Sequence, residues 1–144
     1  KRGGRFNFKG TCGVLYLSCD FDTCWKETIH TATTPAIDVA KLLPRTIVGV
    51  KVKLSKVLDL TDNRIRRAIG ITKRVLTETD WKSVQKKGQE AITQAIGRFA
   101  KEAGFEAILV PSAVGKGKNL DIFPDNLLPS SQILVVNQHE LALK

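Results

Sequence analysis

Residues 3–18 read GGRFNFKGTCGVLYLS and join a loop rich in glycine and cations to a short apolar run. The run Leu15–Leu17 predicts a buried strand, because it is apolar and too short for a helix. Asp20 follows as a candidate N-cap, which predicts a helix over residues 21–33. Loops on rigid scaffolds often carry function, so Arg5 and Asn7 are the first candidates for a binding site.

Short strands and helices continue beyond this stretch without strict alternation. Asp62 or Thr61 is expected to cap a short helix that runs through Arg67, and a 3.6-residue period predicts a long helix over 83–103, closed by Gly104. Strands are predicted over residues 46–54, 57–60, 107–110, 120–123 and 133–136. We therefore predict an α+β fold with short mixed strands rather than a doubly wound sheet.

Length and composition favour a single soluble domain over residues 1–144. No apolar run approaches the roughly 18 residues that a membrane span needs, and no signal peptide is recognisable. The cysteines, Cys12, Cys19 and Cys24, are odd in number and form no C-x-x-C pair. This pattern indicates reduced thiols, and thus a cytoplasmic protein.

The chain carries 23 Lys and Arg against 14 Asp and Glu, which gives a net charge of +9 and favours anionic ligands or partners. The densest group of cations consists of Arg64, Arg66, Arg67, Lys73 and Arg74. It fits either a solvated helix face or a basic nucleic-acid-binding module. Against the second alternative, the sequence has no helix-turn-helix or RRM motif. Only 6% of the residues are aromatic, which is few for stacking on the bases of a single strand.

Familiar catalytic motifs are missing from the sequence. The run G-K-G-K at 115–118 does not match the phosphate-binding P-loop, and His30 and His139 lack the spacing of metal ligands, so we expect no metal.

Polar residues nevertheless stand beside the short apolar strands. Besides Arg5 and Asn7, these are Tyr16 in the first strand, Glu27 on the following helix, and Ser112 and Asn119 around the loop after residues 107–110. Each of them taken alone also fits a structural role.

Taken together, these segments resemble the RES domain family. The ordered runs are G-G-R-F-N-x-K-G, V-L-Y-L-S, Glu27, V-P-S-A and N-L-D-I-F-P-D-N-L. The family is named for an arginine, a glutamate and a serine, which match Arg5, Glu27 and Ser112. The resemblance spans nearly the whole chain, although Phe8 and the pair Trp25 and Lys26 depart from the usual pattern. Members carry a further strand before the arginine, so we expect a RES-type domain over 1–144 that lacks this N-terminal strand.

The resemblance implies an ADP-ribosyltransferase-like fold, with a split sheet flanked by helices. It also implies a cytoplasmic toxin whose partner is an antitoxin containing a helix-turn-helix, with nucleic acid reached only through that antitoxin and with homo-oligomers possible. NAD+ is then the substrate, and no cofactor is needed. The family breaks the nicotinamide–ribose bond by hydrolysis or phosphorolysis, and the alternative is ADP-ribosyl transfer to a protein.

The implied roles suit the residue types. The guanidinium of Arg5 would pair with the pyrophosphate while Gly3 and Gly4 leave room for it, and Tyr16 would stack on nicotinamide or ribose. Glu27 would stabilise the cationic ribose that forms as the bond breaks. The catalytic set is thus Arg5, Tyr16, Glu27 and Ser112, and the NAD+-binding set is Arg5, Asn7, Tyr16, Ser112 and Asn119.

Overall fold

The computed structural model of the protein describes residues 3–32 and 46–136. The strands of this part are β1 (Leu15–Ser18), β2 (Val50–Lys53), β3 (Val57–Asp59), β4 (Ala107–Pro111), β5 (Lys118–Ile122) and β6 (Gln132–Val135). The helices are α1 (Phe21–Ala32), α2 (Asn63–Ala68), α3 (Lys73–Glu78), α4 (Trp81–Lys86) and α5 (Ile92–Glu102). A 3-10 turn at Pro124–Asn126 follows β5.

The strands form two separate sheets. The larger has the order β1-β5-β4-β3, in which β3 runs parallel to β4 and the other pairs are antiparallel. The smaller consists of the antiparallel pair β2 and β6. This mixed, split arrangement with flanking helices confirms the predicted α+β class.

The main core lies against β4, which has neighbours on both sides and a continuous apolar sequence. Ile108 and Val110 of β4 are almost fully buried and belong to one cluster with Leu60, Leu76 and Phe123. Helices α3 and α5 both contact β4, so they cover the sheet face that carries these two residues. Strands buried on both faces are expected to be apolar throughout, which is why the sequence predicts a strand at this position.

The prediction of one helix over 83–103 is wrong. The chain leaves α4 at Lys86, turns at Gly88 with a φ of 76°, and starts α5 at Ile92. A positive φ favours glycine, which lacks a Cβ, so Gly88 permits the reversal that interrupts the helical period. The apolar residues Ile92 and Phe99, which that period places inside, are 54% and 60% exposed.

The strands predicted over 46–54 and 57–60 correspond to β2 and β3, and these two strands belong to different sheets. The carboxylate of Glu106 lies at this division and is 0% exposed. Its Oε2 accepts hydrogen bonds from the amides of Ser55 (2.7 Å) and Lys56 (2.8 Å). Its Oε1 accepts from the amide of Leu128 (3.1 Å) and from the hydroxyl of Ser131. Burial by itself raises the pKa of Glu106, but these hydrogen bonds outweigh it and lower the pKa to about 2.

Candidate functional site

The opening loop is fastened to β1 through Tyr16. The Tyr16 hydroxyl donates to Oδ1 of Asn7 (2.7 Å) and accepts from the amide of Phe6 (3.1 Å). Asn7, 5% exposed, also donates from Nδ2 to the carbonyl of Cys12 (3.1 Å). Asn7 is therefore engaged in holding the loop, whereas the Tyr16 residue is still 44% exposed and offers ring surface to a ligand.

The space beside Gly3 and Gly4, expected to accommodate a phosphate, is occupied by side chains of the protein. A Cβ at Gly3 would meet the side-chain amide of Gln85, and one at Gly4 would meet the Tyr16 hydroxyl. The two glycines therefore let protein side chains approach the backbone closely, which shapes the loop that carries Arg5.

Arg5 is anchored at the C-terminal end of α3. Its Nη1 donates to the carbonyls of Leu76 (3.3 Å) and Thr79 (3.1 Å), where a helix has unsatisfied acceptors and partial negative charge. Within the described residues, Arg5 hydrogen-bonds through Nη1 alone. Burial lowers the pKa of Arg5, and the negative charge of Glu27 is the largest opposing influence. The guanidinium thus keeps donors for an anion while its position is set by α3.

Glu27 receives two side-chain donors from strands far away in the sequence. Its Oε1 accepts from Oγ of Ser112 (2.8 Å), just after β4, and from Nδ2 of Asn119 (2.8 Å) on β5. Oδ1 of Asn119 in turn accepts from the hydroxyl of Ser18 on β1 (3.0 Å). Three strands therefore orient one carboxylate, and the donors of Ser112 and Asn119 are directed to Glu27.

Helix α1 turns a polar side toward the sheet. Its N-cap is confirmed, because Oδ1 of Asp20 accepts from the amide of Thr23 (2.8 Å). The apolar residues Phe21 and Trp25 are 65% and 37% exposed, whereas the polar residue Thr23 is 4% exposed. The physical reason is that Ser112, just after β4, and Asn119 on β5 present two donors here, which favours a hydrogen-bonded carboxylate over an apolar contact at this position.

Asp121 lies beside this group, and sequence analysis missed it as a site residue. It stands on β5 directly opposite Tyr16 of β1 and Ile108 of β4. It is 1% exposed, and its Oδ1 has no hydrogen-bond partner in the part of the chain that the structure describes. Burial raises the pKa of Asp121, Glu27 acts in the same direction, and Arg5 opposes both. An acidic residue between the apolar residues Leu120 and Ile122 of a predicted strand is the pattern that would have pointed to it.

An open cleft of about 390 Å³ adjoins Ser112. It is lined by Lys73, Arg74, Thr77 and Glu78 of α3 and by Ser112, Ala113 and Gly115 of the loop after β4. A larger depression of about 480 Å³ lies along α3 but is lined by none of the predicted site residues. Of these two, the smaller cleft is the one that adjoins a residue hydrogen-bonded to Glu27.

Several cations of the group between Arg64 and Arg74 already have partners. Arg64 pairs with Asp62 (2.9 Å), and Arg74 pairs with Glu78 (3.1 Å). Arg66 donates from Nη1 to the carbonyls of Leu60 and Thr61, each at 2.8 Å. These contacts favour the interpretation as a structured helix surface over that of a nucleic-acid groove.

Within residues 3–32 and 46–136, no group of three or more His, Cys, Asp and Glu side chains is arranged to hold a metal ion. His139 lies outside these ranges. No helix among the same residues has the length and apolar character needed to cross a bilayer.

The chain is similar to proteins of known family and structure. The chain is 30% identical over 138 residues to "Probable NAD(+) phosphorylase Rv3189" of Mycobacterium tuberculosis, covering 96% of this chain but only 55% of that relative's length. Its fold resembles a chain in the crystal structure of the M. tuberculosis MbcT–MbcA toxin–antitoxin complex, with a TM-score of 0.70, 22% identity, and coverage of 94% of this chain and 69% of the other. The model of the RES domain matches residues 1–143. The chain therefore belongs to the RES domain family.

Proposed function

We propose that this chain cleaves the bond between nicotinamide and ribose in NAD+ and acts as the toxin of a toxin–antitoxin pair. The observation that carries the proposal is the carboxylate of Glu27, which Ser112 and Asn119 hold through a single oxygen, Oε1. An ionised carboxylate accepts at both oxygens, so this arrangement leaves capacity to face a cationic sugar. The similarity to a probable NAD+ phosphorylase and to a chain of a toxin–antitoxin complex supports the same interpretation.

Each remaining candidate has a role in this reaction. Arg5, fixed on α3, pairs its other guanidinium donors with the pyrophosphate. The exposed ring of Tyr16 stacks on nicotinamide or the adjoining ribose. Ser112 and Asn119 orient Glu27, and Asn7 supports the binding loop through the Tyr16 hydroxyl. Nicotinamide leaves as a neutral molecule when the bond breaks, so the departing group needs no proton.

The acceptor of the ribosyl group is the finer part of the proposal. We favour phosphorolysis, because Lys73 lines the cleft beside Ser112 and attracts inorganic phosphate, whereas the charge of Arg74 in the same cleft is balanced by Glu78. Hydrolysis and ADP-ribosyl transfer to a protein are the competing outcomes. An antitoxin is the proposed partner, one that contains a helix-turn-helix and through which alone the toxin reaches nucleic acid, and the cytoplasm is the proposed location. Homo-oligomers are also compatible with the proposal.

Product analysis tests this directly. The purified chain is incubated with NAD+ in the presence and absence of inorganic phosphate, and the products are identified by mass. Free nicotinamide with ADP-ribose phosphate formed only in phosphate supports phosphorolysis, whereas free ADP-ribose supports hydrolysis and a mass increase on added protein supports transfer. A Glu27→Gln sample prepared identically controls for contaminating enzymes. NAD+ that stays intact under all these conditions overturns the proposed function.

A further inference from the structure

Asp121 is a buried carboxyl group that the proposed reaction does not yet use. It is the fourth of the five residues of β5, and it lies on the sheet face that carries Tyr16 and Ile108. The residue is 1% exposed, and Oδ1 lacks a partner among the described residues. Buried polar atoms in folded proteins are nearly always paired, so an unpaired carboxyl oxygen at a candidate site calls for a physical explanation.

Glu106 shows what a buried, ionised carboxylate looks like in this same fold, since it accepts four hydrogen bonds. Asp121 has no comparable set of donors in the described part of the chain. Arg5 influences it through space, but the hydrogen bonds of Arg5 within the described residues go to the carbonyls of Leu76 and Thr79. A buried carboxylate without paired donors is costly, and the usual outcome is that it binds a proton.

The charged and titratable groups around Asp121 come from three sides. The opening loop contributes Arg5, β1 contributes Tyr16 with Cys19 just after it, and α1 contributes Glu27. Strand β4 presents an apolar residue at the paired position. Burial is the main cause that raises the pKa of Asp121, and Glu27 adds to it. Of these groups only Arg5 favours the ionised form.

We propose that Asp121 is a positioning residue that stays a neutral carboxylic acid and thereby leaves the positive charge of Arg5 available to an anionic substrate. The identity of that substrate, the pyrophosphate of NAD+, rests on the proposed function. Ionisation of Asp121 places a second negative charge beside Arg5, in addition to that of Glu27. The field that attracts the pyrophosphate then weakens, so KM rises while the bond-breaking step at Glu27 changes less.

The protonation state is tested without any catalytic assay. Asp121→Asn keeps the size of the side chain and removes the acid, and Thr93→Val is the matched control, because Oγ1 of Thr93 is the other buried side-chain atom without a partner among the described residues. We expect the infrared carbonyl band of a protonated carboxylic acid at neutral pH in the wild type and in Thr93→Val, and its loss in Asp121→Asn. Absence of this band from the wild type overturns the proposal, and this holds even if Asp121→Asn does not fold.

Stability against pH gives a second readout. A group whose pKa is raised in the folded state makes the protein lose stability as pH rises above the ordinary range of aspartate, about 3.9. The melting temperature of Asp121→Asn should therefore gain on that of the wild type from pH 4 to 8. Thr93→Val should show an offset that is the same at every pH. An equally constant offset for Asp121→Asn contradicts the proposal.

The link to the site is tested by KM for NAD+ as a function of pH. We expect KM of the wild type to rise about tenfold as Asp121 ionises, which corresponds to one pKa unit of coupling, and KM of Asp121→Asn to be flat with pH. Identical profiles in both proteins overturn the link to Arg5. If no protein consumes NAD+, the proposed function fails on its own, and calorimetric binding of inorganic pyrophosphate then replaces KM in the same comparison.

Discussion

Glu106 and Glu27 are both held by residues from distant parts of the chain, yet the two carboxylates are used differently. Glu106 is fully buried, and both of its oxygens accept hydrogen bonds, including three from backbone amides. Glu27 is partly buried, and its two side-chain donors both go to Oε1. A carboxylate whose acceptor sites are filled joins parts of the fold, whereas one held by a single oxygen keeps capacity for a ligand.

The largest effect is expected for Glu27→Gln, which removes the charge and keeps the shape. Turnover of NAD+ should fall on the order of 100- to 1,000-fold, the usual loss when one electrostatic contact to a transition state is removed. KM should change little, because the contribution is made as positive charge develops on the sugar.

Steady-state kinetics on Glu27→Gln and on Glu102→Gln, an exposed carboxylate of α5, separates this loss from a general effect of charge. Wild-type turnover in Glu27→Gln would contradict the proposed role of Glu27 in catalysis.

The next largest effect is expected on stability, from Glu106→Gln. The amide group of the substituted glutamine directs its own hydrogens at groups that donate to Glu106 in the wild type. Each donor left without an acceptor lowers the free energy of unfolding by roughly 1–3 kcal/mol. The free energy of unfolding from urea titration measures the loss.

Acid titration of the same pair of proteins sharpens this result. Glu106 has a lowered pKa in the folded state, so its contribution is present above about pH 4.5 and is lost as pH falls toward about 2. The wild type should lose more stability than Glu106→Gln across this window. Parallel curves for the two proteins would show that Glu106 is not the ionised group that the hydrogen bonds indicate.

A smaller effect, on the affinity for NAD+, is expected from Arg5→Ala at the candidate site. Removing a charge-assisted contact to the pyrophosphate should weaken NAD+ binding by about 1.5–3 kcal/mol. Isothermal calorimetry with NAD+ measures it, and Arg64→Ala, which removes an exposed cation, is the control. Equal weakening in both variants would indicate a general effect of net charge.

The smallest effect is expected from Ser131→Ala, which deletes one donor to Glu106 and leaves the amides in place. Stability should fall by about 1.5 kcal/mol, a typical value for one hydrogen bond to a charged group, with turnover unchanged. Ser112→Ala deletes the matching hydroxyl on Glu27 and should lower turnover as well. Thermal melts and NAD+ consumption, measured on both variants, test whether the two serines differ in this way.

Elements with local causes were predictable from sequence. The strand at Leu15 and the cap at Asp20 depend on residues close to them in the sequence, and the structure has both. The prediction that this strand is buried is wrong, because Leu15 is 38% and Tyr16 is 44% exposed. The helix over 83–103 failed, because the periodic pattern does not register the turn at Gly88 or the side chain of Gln94, which accepts from the amide of Ala91 (2.9 Å). Apolar spacing alone thus identifies a helical region but not a break within it.

The sequence by itself determined the class of fold, the family and the residue types of the site, since these depend on short patterns and their order along the chain. Tertiary structure alone decided that Glu27 faces inward between Ser112 and Asn119, 85 and 92 residues away, and that Asp121 lies beside Arg5 with an oxygen that no described residue pairs. The physical reason is that hydrogen bonds and burial act between strands and helices that only folding brings together. The charge state of a carboxyl group depends on those neighbours rather than on its position in the chain.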